Sequence, residues 1–227
     1  MYRAGFISAC ALIVLASLGI AYSQSAEPKP AYASTVQSAV AATEVELLHG
    51  AMLSRIAVSM NRRTGRTIPA LHCRHAVGGC EQRLGQFARY LVSAGQKHGL
   101  DPWLLAAMAF KESGFNPFAM GSVGELGILQ INPGRRDARQ VRFIRDQWYR
   151  NRCRKEPGAC QQEIVDHAAQ VLARSVELCK GDLEAALGAY NTGRCNGNKR
   201  YTQRVLTEIE ELRRAAGLEG QLQASRS

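Results

Sequence analysis

Strand-forming pattern is almost missing from this 227-residue chain. Hardly any segment alternates apolar and polar residues with the period of two that a half-buried strand needs, and no internal repeat is found, so the fold class is mainly α. Beyond the first 23 residues no stretch is long and apolar enough to span a bilayer. Acidic side chains are scarce: 19 Asp and Glu face 29 Lys and Arg, a formal net charge of +10. That balance suits an anionic envelope polymer. Nucleic acid would feel the same attraction, but no binding motif for it accompanies the charge, and no nucleic-acid partner is expected. Familiar metal spacing is lacking too. His72, Cys73, His75 and Cys80 come nearest to a zinc set, yet their intervals match no common four-ligand pattern, and neither metal nor cofactor is expected. The length allows one well-packed domain with a leader and additions, not two large domains.

What is present begins with the leader. Residues 1–23 hold a single charge, Arg3, an apolar run from Phe6 to Ala21 broken only by small or hydroxyl residues, and small residues at Ala21 and Ser23. This is the pattern of a secretory signal peptide; the alternative is an uncleaved anchor helix, which would be the chain's route to a membrane. Export to the bacterial envelope, periplasmic or extracellular, follows. Loss of the leader removes one positive charge and Cys10, leaving six cysteines: Cys73, Cys80, Cys153, Cys160, Cys179 and Cys195. An even set in an exported chain reads as disulfides, although sequence does not choose among the pairings. Sequence neighbours are the expected pairs: Cys73 with Cys80, Cys153 with Cys160 across the Pro157-Gly158 turn, and Cys179 with Cys195.

Residues 24–34 are small and proline-containing and read as a tether. From 35 to about 61, Val40, Leu47, Leu48, Met52, Ile56 and Met60 recur at helical spacing, and 62–80 reads as a connecting loop. Together, 24–80 form a tether and helical N-terminal extension. A helical domain follows over 81–215, then a flexible tail over 216–227. Inside the domain, helices are expected over 81–98, 101–112, 137–150, 159–179, 182–190 and 199–215. The second has Asp101 as N-cap, Pro102 at its first position, and Gly114 and Asn116-Pro117 as breakers. Residues 121–133 suit a turn leading into a short strand or helix. Over 137–150, Val141, Ile144 and Trp148 share one helical face, while Arg135, Arg139 and Arg142 follow another, a solvated face by default.

Three clusters carry chemistry. On the helix 101–112, Leu104, Leu105, Met108 and Glu112 fall at i, i+1, i+4 and i+8, so a carboxylate continues the core-facing stripe. It also stands in the last turn, where the helix dipole disfavours an anion by about 0.3–1 kcal/mol. Both effects raise its pKa, as a general acid requires, and position alone is equally compatible with a structural carboxylate. The second cluster is GELGILQIN at 124–132, where Gly127 would let backbone approach a ligand and Gln130 supplies an amide for a sugar. The third is GAYNTG at 188–193, with Tyr190 on the buried face of its helix. Its hydroxyl needs a partner, either Glu112 or backbone.

Together, ESG at 112–114, GILQ at 127–130 and AYNTG at 189–193 resemble the signature of the soluble lytic transglycosylase catalytic domain, related to goose-type lysozyme, over about residues 84–212. The resemblance implies a lysozyme-like helical fold with a glycan cleft and peptidoglycan glycan strands as the partner. It implies Glu112 as acid and then base, Ser113 positioning substrate or Glu112, and Gln130, Gly127, Tyr190 and Asn191 at the cleft. Leu129 and Thr192 depart from the residues commonest in the family, and the basic, cysteine-containing insert at about 134–158 is not a general feature of it. Two rival functions remain open: a goose-type-lysozyme-like muramidase, needing a second acid for which Glu125 is the one carboxylate in the motif region, and a peptidoglycan-binding or remodelling component of a secretion or conjugation apparatus. The oligomeric state is not legible in the sequence.

Overall fold

The computed structural model describes residues 31–57, 79–155 and 157–218. The expected leader, Cys73, Met60, nearly all of the 62–80 connection and the tail beyond 218 lie outside them. Among the described residues the chain forms eight α-helices and no strand, as its periodicity demands. They are α1 (Ala31–Ala57), α2 (Gly79–His98), α3 (Pro102–Ser113), α4 (Arg142–Arg145), α5 (Gln147–Arg152), α6 (Pro157–Leu178), α7 (Leu183–Thr192) and α8 (Lys199–Ala215). None is long and apolar enough to cross a membrane.

One core joins them. Leu48, Met52 and Ile56 of α1 are buried with Leu84, Phe87 and Leu91 of α2 and with Val205 and Leu212 of α8, each such side chain contributing about 2 kcal/mol of apolar burial. The N-terminal extension is thus packed on α2 and α8. The helical stripe read in its sequence is buried only in its second half: Val40, expected on it, is 62 % exposed.

The helix expected over 137–150 is a correction. The chain instead makes a 3-10 turn at Asp137–Gln140, then α4, then α5, with extended backbone at Val141 and Asp146. The cause is distant in sequence. Glu163 of α6 accepts the N–H groups of Arg142 (2.8 Å) and Phe143 (2.7 Å), starting α4 afresh, and Arg150 donates to the carbonyls of Phe143 and Ile144, closing it. Asp146 then caps α5 through Tyr149 N–H. Val141 and Ile144 are buried as expected, but the break turns Trp148 outward, 63 % exposed under Arg152.

Two of the expected disulfides are present, Cys153–Cys160 and Cys179–Cys195. Cys80 is also disulfide-bonded, which removes it as a thiolate metal ligand; its expected partner Cys73 lies outside the described residues.

Candidate active site

Glu112 is set in place by the two ends of α3. Asp101 caps the N-terminus by accepting Trp103 N–H at 2.9 Å, Pro102 follows, and Gly114 (φ 60°) turns the chain out after Ser113. Along its length α3 pairs antiparallel with α8. Arg213 meets Asp101 at 2.6 Å, Glu208 meets Lys111 at 2.6 Å, and Tyr201 stands beside Glu112.

The segment 120–132 becomes neither strand nor helix. Its pairing is limited to isolated bridges of Leu126 with Met120 and Ile131. Left-handed backbone at Gly124, Gly127 and Gln130 folds it into successive tight turns that no extended ladder can follow. For Gln130 this conformation costs about 1 kcal/mol or more. Its own amide holds it there, donating to the carbonyls of Ala119 (3.1 Å) and Gly127 (2.9 Å).

Three side chains from three helices grip this loop. Ser113 shares its one hydroxyl proton between the carbonyls of Ile128 (2.8 Å) and Ala109 (3.0 Å). Fully buried Gln161 of α6 accepts the N–H of the same Ile128 at 2.9 Å. Tyr190 of α7 donates to the carbonyl of Leu129 at 2.9 Å, so its hydroxyl takes the backbone partner and not Glu112. Gly127 is buried against α6, where a Cβ would lie 2.9 Å from Gln161 Oε1; it serves close packing of loop on helix. Asn191 accepts from Asn198 at 2.9 Å, and Asn198 in turn caps α8 through Tyr201 N–H. Gly188 lets that connection return across α7, since a Cβ there would come within 2.6 Å of Gly197 N.

The result is a polar cleft of about 240 Å³ lined by Glu112, Glu125, Gln130, Arg135, His167, Tyr190 and Asn191, among others. Of the residues expected at the site, Glu112, Gln130, Tyr190 and Asn191 reach it, while Ser113 stands behind the loop that forms its wall and Gly127, within that loop, packs against α6. Sequence reading missed Gln161, Tyr201 and His167. Only Tyr201 left a trace, as an apolar-face residue of an otherwise charged helix.

Electrostatics single out Glu112. Burial is the main cause lifting its carboxyl above the ordinary carboxylate value, and Glu125 adds to it, while Tyr201 and Arg204 pull it back. The Tyr201 hydroxyl is near enough to interact, yet among the described residues it is buried without a formed hydrogen bond. Burial and then the Glu112 charge hold the phenols of Tyr190 and Tyr201 far above their usual range, so both stay neutral donors. A carboxyl that holds its proton more tightly than an ordinary carboxylate, at the edge of a polar cleft with neutral hydroxyls about it, is equipped to give up a proton and take one back.

The Transglycosylase SLT domain family matches residues 89–212, more than half of the chain. The chain belongs to that family, and with it to the lysozyme-like helical folds. Among curated proteins it is similar to the membrane-bound lytic murein transglycosylases C of Actinobacillus pleuropneumoniae serotype 5b (strain L20) and serotype 3 (strain JL03), each 27% identical over 71 residues. That segment is 31% of this chain and 20% of theirs, so the chain spans about a fifth of the length of the curated relatives it matches.

Proposed function

We propose that the chain is a peptidoglycan lytic transglycosylase that cleaves the β-1,4 bond between N-acetylmuramic acid and N-acetylglucosamine and leaves a 1,6-anhydromuramyl end. The observation that carries this reading is the Glu112 carboxyl, which lines a polar cleft and whose affinity for its proton is raised by burial. Family membership supplies the substrate class. Glu112 gives its proton to the glycosidic oxygen as the bond to the muramic C1 breaks, and the sugar's own acetamido oxygen takes the place of the leaving group at C1. This is the substrate-assisted alternative to a second carboxylate. Glu112, now ionised, removes the proton of the muramic 6-hydroxyl, whose oxygen displaces the acetamido group from C1 and closes the anhydro ring. Glu112 ends protonated, and no water is consumed. Tyr201 moderates the charge that appears on Glu112 midway. An oxidising envelope compartment suits both the expected leader and the disulfides.

One observation favours hydrolysis as a second reading. Glu125 shares the cleft and could hold a water. Its Oε2 already accepts Val123 N–H at 3.1 Å, which favours a role in shaping the loop. Digestion of purified sacculi followed by product mass analysis decides between them. Anhydro-ended muropeptides are expected; reducing ends would favour hydrolysis, and no soluble product would refute both.

A further inference from the structure

Arg135 and His167 line the cleft but take no part in the reaction above. His167, on α6, is 7 % exposed, and its Nε2 is buried without a hydrogen-bond partner among the described residues. A buried polar nitrogen left unpaired is costly, and persists where a ligand completes it. Arg135 stands at the head of the basic insert. Asp137 holds it through Nε (3.2 Å) and Nη2 (3.1 Å), which orients the guanidinium and, among the described residues, leaves the other N–H donors of its fork unused. The charged groups facing His167 are Arg135, Arg174, Asp137 and Asp166. Asp166 is tied to Lys97 (2.8 Å) and His98 (2.9 Å), and Asp137 to Arg135, so both carboxylates near His167 are engaged elsewhere. Burial keeps the imidazole below its usual pKa and therefore neutral, a hydrogen-bonding group and not a fixed cation.

We propose that Arg135 and His167 form a subsite for a carboxylate carried by the glycan. The proposal rests on the peptidoglycan reading and deepens it. The muramic residue differs from N-acetylglucosamine in its lactyl ether, which bears either a free carboxylate or a stem peptide with carboxylates of its own. A subsite of this kind would make the enzyme reject chitin-like strands that fit the rest of the cleft.

The test is calorimetric binding by the Glu112→Gln protein, which holds strands without cutting them. Three oligosaccharides of equal length are compared: peptide-free muramyl, stem-bearing muramyl, and chitin. Binding of neither muramyl ligand would overturn the peptidoglycan reading and this proposal together, before Arg135 is touched. If the Glu112→Gln protein binds them, adding Arg135→Ala is expected to weaken muramyl binding about tenfold, as loss of a charge-assisted contact does, with chitin binding within twofold. His167→Phe should act in the same direction, and Arg135→Lys should recover part of the loss. A loss confined to peptide-free strands assigns the lactyl carboxylate; one confined to stem-bearing strands assigns the stem. Equal losses on chitin, or unchanged affinity for all three, would overturn the subsite.

Discussion

The α3–α8 seam holds two glutamates in opposite circumstances. Glu208, on α8, is 1 % exposed and fully partnered: Arg55 of α1 grips both oxygens at 2.6 and 3.0 Å, and Lys111 of α3 adds a third contact at 2.6 Å. Both cations also lie against the Phe110 ring, 5.2 and 5.3 Å from its centre. One residue along from Lys111, Glu112 has among the described residues no cation in contact, only a phenol, a second carboxylate and the more distant Arg204. A buried carboxyl with its charge compensated holds elements together. One without compensation holds its proton more tightly, which suits it to proton transfer. Three α-helices meet at Glu208, so it fixes the register in which α8 presents Tyr201 to Glu112, the proposed acid and base.

The largest effect expected at this seam comes from Glu112→Gln. Loss of a general acid and base should reduce cleavage of sacculi by about 10²–10⁴-fold with the fold intact. Stability should move the other way. Because the folded protein holds the Glu112 proton more tightly than the unfolded chain does, the stabilisation from that group is complete below the unfolded carboxylate pKa and is lost as pH rises through the higher folded one. Glutamine cannot ionise, so the variant should gain on the parent as pH rises through that window. Urea titrations across the window check the sign; a variant that loses stability relative to the parent would make Glu112 a structural carboxylate like Glu208.

Glu208→Ala should do the reverse. It strands Arg55 and Lys111, and the expected cost is about 3 kcal/mol, the lower end for a broken buried pair because both cations keep some solvent. Catalysis should fall less than it does for Glu112→Gln, since the proton donor remains and only its frame loosens. Denaturant midpoints and kcat measured on the same preparations separate the two quantities. A loss of activity as deep as that of Glu112→Gln, without loss of stability, would put Glu208 in the chemistry.

How much of this was legible in the sequence follows the range of the forces involved. Asp101, Pro102 and Gly114 act on their immediate neighbours, and the bounds of α3 were read correctly from them. The stripe through Leu104, Met108 and Glu112 likewise gave the right face. The region 137–150 failed because the breaks at Val141 and Asp146 depend partly on Glu163, which reaches Arg142 from 21 residues away, and no local pattern carries that contact. Tyr190 was legible as a buried hydroxyl in need of a partner, but not which one. The Arg55–Glu208 pair spans 153 residues, and Glu208 in isolation is one more acid on a charge-rich helix. Ser113 and Gln130 were found through the motifs they belong to, yet their contacts are with backbone, a role that motif spacing does not distinguish from contact with sugar.

Tyr201→Phe gives the smallest effect and the finest test of the contrast. The hydroxyl pulls the Glu112 carboxyl down, so its removal should let that carboxyl rise further and carry the alkaline limb of kcat/KM, where the acid form is lost, to higher pH. Cleavage at neutral pH should fall by no more than about tenfold, since proton transfer itself is retained. Stability should hold or improve, because a buried hydroxyl with no formed bond costs about 1 kcal/mol that phenylalanine does not incur. A shifted limb with unchanged denaturant midpoint would show that α8 tunes the reactive glutamate through one phenol. An unshifted limb would mean that burial and the charges of Glu125 and Arg204 set Glu112 without the phenol.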